Sequence, residues 1–533
     1  MEVSRRRPIV VAMNVPPATE RLPDHPGPVT MYATRPPVRP MVPPPPSRRS
    51  FADIRGGALS PWAAAGLVVI VLAGAFVGHA GWSGGLSFDA VVTLLVFLVA
   101  VWAWIFSPLD DTYVALGGGI ALVIFGIIDA DTFAGTLGSG VIWLLIGAFV
   151  IAAAVTASGL SARVSARVVR RARTPRQLVH LITAALLLTT FAIPATSGRA
   201  ALALPIFLTL AAVLRDRPRL VLCLALVFPL VILFSAVGSL LGAGAHLITA
   251  EIVSAATGEG IGFVHWAVLG VPLAIVWSHL AAEAALWLMT DHDERARGLC
   301  VPPAAFEETG TATSGPLTSA QRRVSVILGI VVVLWCSEPL HGVDPAIVAV
   351  LGALAASAPA VGATTLSAAL KTIPWTLLLF MAATLALGMA LNSSGAAQWL
   401  ADRALGSIAE TGPAAAMVFV VVSAVVSLLA HLVIQSRSAR SAVLIPIIVV
   451  TAPAVGVDPV AAAFLSTAAA GFCITLTSSA KPVAMFAASD DVPGYQPRHL
   501  LTMSALLAPV SLVLLIVFAG WVWPHLGLPL LSS

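Results

Sequence analysis

The chain is short of charge, cysteine and tyrosine. Only 10% of its 533 residues are Asp, Glu, Lys or Arg, against about 25% in a typical soluble protein. With 58% hydrophobic residues, that scarcity excludes an ordinary water-soluble domain. The four cysteines, Cys223, Cys300, Cys336 and Cys473, are too scattered for metal-ligand spacing, which argues against a zinc cluster or a disulfide framework. They read as packing residues. Neither His-Glu-x-x-His nor Gly-x-Ser-x-Gly occurs in the apolar spans, so a membrane-embedded enzyme is a remote reading, alongside a non-transporting sensor. The formal charge of +4 sits in loops between apolar runs and reports on topology rather than on nucleic acid.

What the chain does have is long apolar runs. A helix needs about 20 apolar residues to cross a bilayer, and such runs recur from residue 62 to residue 523. Stretches such as "LVVIVLAGAFVG" lack the alternation of barrel strands, so an all-α integral membrane fold with about 11 transmembrane helices is expected. Residues 1–58, Pro-rich with nine arginines against four acids, read as a disordered cytoplasmic tail. They lack a signal-peptide pattern, so the first helix, in 59–87, is expected to stay as an anchor. Spans follow near 88–107, 113–129 and 140–158, then a loop with six arginines in 161–176. The positive-inside bias puts that loop and the N-terminus in the cytoplasm, with the C-terminus outside, in the cell membrane.

Two segments read as re-entrant hairpins, at 178–214 and 413–456, each with apolar arms around a polar break. They belong to two halves, 88–290 and 322–525, joined by a polar cytoplasmic linker at 291–321. "SGRAALALPI" (197–206) matches "SARSAVLIPI" (438–447), and "LLIGAFVIAAAVTASGL" (144–160) parallels "LFMAATLALGMALNSSGA" (379–396). The counterpart of the basic loop, 396–410, has one arginine and two acids, so the repeat reads as inverted. Inverted halves with broken helices are the pattern of a secondary transporter.

A charge at mid-membrane costs about 2.5 to 3.5 kcal/mol, so Arg199, Arg437 and Arg440 require a reason. Two tips meeting inside the bilayer would combine guanidinium forks with free backbone N–H groups at helix starts, a setting for a small anion. Thr196, Ser197, Gly198 and Arg199 of the first tip, and Ser436, Arg437, Ser438 and Arg440 of the second, are the candidate residues. Each half has a further break. Gly242 and His246 mark it in the first, and Ser478, Ser479 and Lys481 in the second, where Thr475 also lies. His180, His279 and His431 read as structural, and Glu251 and Glu283 as the main intramembrane acids.

Over about 88–525 the chain resembles the divalent anion/sodium symporter family, whose members carry dicarboxylates, citrate or sulfate. The tips "PATSGRAALALPIF" and "QSRSARSAVLIPII" carry the likeness, with "GEGIGFVHWAVLGVPLAIV" and the ending "GYQPRHLLTMSALLAPVSLVLLIVFAGWVWP". The family's Ser-Asn-Thr tips fall on Ala195-Thr196-Ser197 and Ser436-Arg437-Ser438, and neither keeps the motif. The resemblance implies a permease working by alternating access, a homodimer with a scaffold and an elevator-like transport domain, and substrate contacts at the tips. It also implies sodium near Ser197 and Ser438, or proton coupling where an arginine replaces the ion. No cofactor is expected. A sodium/proton or arsenite-type antiporter of the same superfamily is the alternative, and it would need core carboxylates for its cations.

Overall fold

The computed structural model describes residues 61–533 apart from 170, 259, 300–314, 406–412, 490–491 and 533, so the proposed tail lies outside the described residues. Among the described residues the protein is all-helical, and 11 helices are long and apolar enough to cross a membrane. Short polar signals start the spans. Ser87 accepts from the Ala90 amide at 3.1 Å, and Asp110 accepts from Thr112 at 2.9 Å. Proline stands in the first turn at Pro175, Pro218, Pro345, Pro459 and Pro497, where the missing N–H costs nothing.

The order of elements after residue 140 recurs after residue 375. Helix Gly140–Ala157 ends at Gly159, and helix Trp375–Ser393 ends at Gly395. Both glycines hold a positive φ, 69° and 76°, the left-handed stop that side chains disfavour. A short helix follows each (Leu160–Val169 and Ala396–Leu405), then a helix pair broken at a tip: Pro175–Thr189 with Thr196–Val213, and Pro413–Leu429 with Arg437–Thr451.

Three sequence expectations change in detail. The basic segment at 161–176 is a helix over Leu160–Val169 rather than a loop. Its Arg163 is buried, donating to Gln321 Oε1 at 2.8 Å and to the Gly315 carbonyl. The linker contains helix His292–Ala296, where Glu294 meets Arg217 at 2.6 Å with both side chains nearly enclosed. The span placed at 113–129 begins at Asp111 and ends at Ile124, which brings an acid into its first turn.

The break in the first half is closed by aromatic side chains. Helix Pro218–Phe234 gives way to two 3-10 turns, Ser235–Gly238 and Leu240–Gly242, before helix Gly244–Thr257. Away from water every freed carbonyl needs a donor. Trp266 Nε1 supplies one to Val237 at 2.9 Å, and His246 Nδ1 one to Ser239 at 3.0 Å. Helix Phe263–Met289 comes close enough at Gly270 that a Cβ would stand 2.1 Å from the Val237 oxygen, so glycine is required there.

Candidate functional site

A cavity of about 430 Å³ opens where the tips and the two breaks converge. Ala195, Thr196 and Ser197 line it from the first tip, and Gln435, Ser436, Arg437 and Ser438 from the second. Ala243, Gly244 and Ala245 come from the first-half break, with Ser478, Ser479, Ala480, Lys481 and Pro482 from the second-half break. All six positions that match the family's tip motif therefore face one space.

Three long helices begin at that space: Thr196–Val213, Gly244–Thr257 and Arg437–Thr451. The first N–H groups of a helix have no partner inside it, and together with the helix dipole they make its start attractive to negative charge. Ala195 and Ala243, the residues before two of these helices, offer no capping side chain, so those amides stay open to a ligand. Ser436 caps the third through the Ala439 amide at 3.2 Å, which leaves the N–H groups of Arg437 and Ser438 toward the cavity. Ala195 also holds φ at 83°, the one non-glycine residue with positive φ among the described residues. That conformation is strained and characteristic of functional turns.

The arginines part company here. Arg199 does not line the cavity, contrary to the sequence expectation. It is buried and uses all its donors: Nε to Thr189 Oγ1 at 3.0 Å, Nη1 to Thr190 Oγ1 at 3.2 Å and the Ile232 carbonyl at 3.0 Å, Nη2 to the Leu186 carbonyl at 2.7 Å and Ser235 Oγ at 2.6 Å. Such a guanidinium is a fastener that ties the end of one helix arm to the broken helix behind it. Arg440 is also fully buried off the cavity, with Cys473 beside it, and none of its side-chain nitrogens finds a hydrogen-bond partner among the described residues. Arg437 is part of the cavity wall, but its Nε and Nη1 are enclosed and likewise unpartnered, and its Nη2 lies toward buried Gly471.

Gly242, Gly198 and His246 are not cavity-lining either. A Cβ on Gly242 would lie 2.0 Å from the Ala236 oxygen, so its role is close backbone approach. His246 is fully buried and stacked on Trp266 with ring centroids 5.1 Å apart. Lys481 is exposed at the cavity rather than buried without a partner. Thr475 accepts from Ser504 at 3.1 Å and meets His431 Nε2 at 2.8 Å, which keeps that histidine structural. His180, His279 and Glu283 form a separate hydrogen-bonded chain with Arg176, the two histidines 2.7 Å apart.

The sequence reading missed one wall. Asp110, Asp111 and Thr112 line the cavity from the start of helix Asp111–Ile124, and Thr376, Leu377 and Phe380 from helix Trp375–Ser393. Thr112 Oγ1 donates to the Thr376 carbonyl at 3.0 Å and joins the two helices beside the site. The signal was present in "SPLDDTYV", two acids opening an apolar span, but a span drawn from residue 113 leaves them outside it.

Among the described residues, eleven helices long and apolar enough to cross a membrane, with a polar chamber where the tips and breaks meet, mark a multi-pass membrane protein. The chain belongs to the family described as the sodium:sulfate symporter transmembrane region, which it matches over residues 62–529. The family so described is one of transporters, not of enzymes. A Cupriavidus necator protein described as a membrane protein is 25% identical over 310 residues, 57% of this chain and 60% of that relative's length. Among solved structures, the Neisseria gonorrhoeae MtrF, from a class of antimetabolite efflux pumps, shares the fold with a TM-score of 0.52. Its sequence is 15% identical, and the match covers 86% of this chain and 99% of that one. The Alcanivorax borkumensis YdaH transporter gives a TM-score of 0.47 at 17% identity, covering 84% and 100%.

Proposed function

We propose that the protein is a secondary transporter that moves a small anion, a di- or tricarboxylate or a sulfate-like ion, across the cell membrane by alternating access around this cavity. The observation that carries the reading is the convergence of three helix starts, two of them without a capping side chain, with Arg437 and Lys481 on one space. Backbone N–H groups and cationic side chains are the donors that bind carboxylate or sulfate oxygens.

Thr196, Ser197, Ser436, Arg437, Ser438, Ser478, Ser479 and Lys481 are the proposed substrate contacts, all of them at the cavity. In this reading the helix pairs at the tips are re-entrant hairpins of two inverted halves, and they move with the broken helices against a scaffold within a homodimer. The N-terminus is cytoplasmic and the C-terminus outside. Arg437 stands where the family's tip has Asn, and a fixed positive charge there replaces a sodium ion. The test is uptake into proteoliposomes across sulfate, succinate and citrate, with and without sodium. Saturable uptake of one of them that needs no sodium supports the reading, and a strict sodium requirement removes the role given to Arg437.

A further inference from the structure

We propose that Asp111 is a proton site: its carboxyl takes up one proton when an anion enters the cavity. The inference rests on reading the cavity as an anion site.

Asp111 lines the cavity from the first turn of its helix, opposite the second tip. Ser436 and Lys481 line the same cavity. Ser436 immediately precedes the free amides of Arg437 and Ser438, so an anion seated on those amides becomes a neighbour of Asp111. Two negative groups sharing one partly closed site drive one of them to its neutral form. The anion also competes for Lys481, the cation that shares the cavity with Asp111. Both effects push the same way. By linkage, the factor by which the anion strengthens proton binding equals the factor by which the proton strengthens anion binding.

The surroundings single out Asp111. Asp110, its neighbour in the chain, is exposed and spent on capping the Thr112 amide at 2.9 Å. Helix Trp375–Ser393, packed against the Asp111 helix, has no titratable side chain. Helix Phe88–Phe106 contributes only Asp89, at the end of that helix remote from Trp104. Asp131 belongs to helix Ala130–Gly135, beyond the far end of the Asp111 helix. Lys481 and Arg437 are the cations that share the cavity. Trp104 Nε1 holds the Asp111 carbonyl at 3.1 Å, which fixes the residue in place.

Sulfate is the probe of choice because it keeps its full charge across the accessible pH range, so any proton taken up belongs to the protein. Calorimetric titration of the full chain in detergent, in buffers of different ionisation enthalpy, counts those protons. On the alkaline side the dissociation constant rises by about tenfold per pH unit if one proton is coupled. Asp111→Asn binds sulfate at least as tightly, loses the pH dependence and takes up no proton, while Asp131→Asn, away from the cavity, behaves as native. Sulfate binding with no proton uptake by the native protein overturns the proton site and leaves the anion site standing. Proton uptake that survives in Asp111→Asn also overturns it. An Asp111→Asn protein that melts like native yet binds no sulfate makes Asp111 a direct ligand contact and overturns it too. If the native protein binds neither sulfate, succinate nor citrate, the anion reading falls, and the proton site with it.

Discussion

Arg199 Nη2 lies 2.6 Å from the hydroxyl of Ser235, so the first tip is fastened to the broken helix behind it by a side chain that never reaches the cavity. The same guanidinium holds Thr189, Thr190 and two backbone carbonyls. Arg199→Leu strands these acceptors in a dry interior, where each buried polar group left unsatisfied costs about 1 to 3 kcal/mol. Thermal unfolding in detergent should show a large drop for Arg199→Leu, with no recovery in Arg199→Lys, whose single ammonium cannot reproduce the fork. A normally stable Arg199→Leu protein would refute the fastening role.

Arg437 and Lys481 belong to the other category. Each should be removable without loss of the fold, because neither closes a hydrogen-bond network among the described residues. A hydrogen bond to a charged group contributes about 1.5 to 3 kcal/mol, so Arg437→Ala or Lys481→Ala should weaken anion binding by about 10- to 150-fold. Titration calorimetry on folded variants measures this, and unchanged affinity in both would detach the anion from this cavity.

Gly270 packs helix Phe263–Met289 against the 3-10 turns of the break. Gly270→Ala forces the two backbones apart, an overpacking that costs about 1 to 3 kcal/mol. Its melting temperature should fall, and Trp266 should lose its bond to the Val237 carbonyl, now 2.9 Å long, with a change in tryptophan fluorescence. Gly520, where a Cβ meets open space, should accept alanine with no such change.

Arg217 and Glu294 form an enclosed pair with Nε to Oε1 at 2.6 Å, and Arg217 Nη2 also donates to the Glu294 carbonyl at 2.9 Å. Arg217→Ala should cost about 3 to 5 kcal/mol because the carboxylate is left enclosed and unpaired. Replacing both partners with apolar residues should recover most of that. A double-mutant cycle on thermal stability decides, and additive losses would show that the pair does not act as a unit.

Much of the site was visible in the chain as places where an apolar run is interrupted. Polar residues at "PATSGR" and "QSRSAR" cannot be solvated by lipid, so the tips had to meet something polar, and their six motif positions do line one cavity. Direction was not visible. Arg199 and Arg440 hold matching places in the two tips, yet each stands a turn inside its helix, where the packed neighbours enclose it, while the first residues of both helices see the cavity. Arg437, which has no counterpart in the first tip, is the one at the cavity. Asp111 was missed for a related reason: its place at the cavity depends on a helix far away in sequence arriving at the space that Ser436 lines.

The amino-acid sequence by itself determined the membrane, the helices and the breaks, because burying an unpaired backbone or a charge in lipid is costly enough to be written into composition and spacing. Only the tertiary structure decided which cations are fasteners and which face the chamber. That depends on whether acceptors such as the Ile232 carbonyl and the Ser235 hydroxyl lie within about 3 Å of a guanidinium, which is a matter of packing between segments rather than of local pattern.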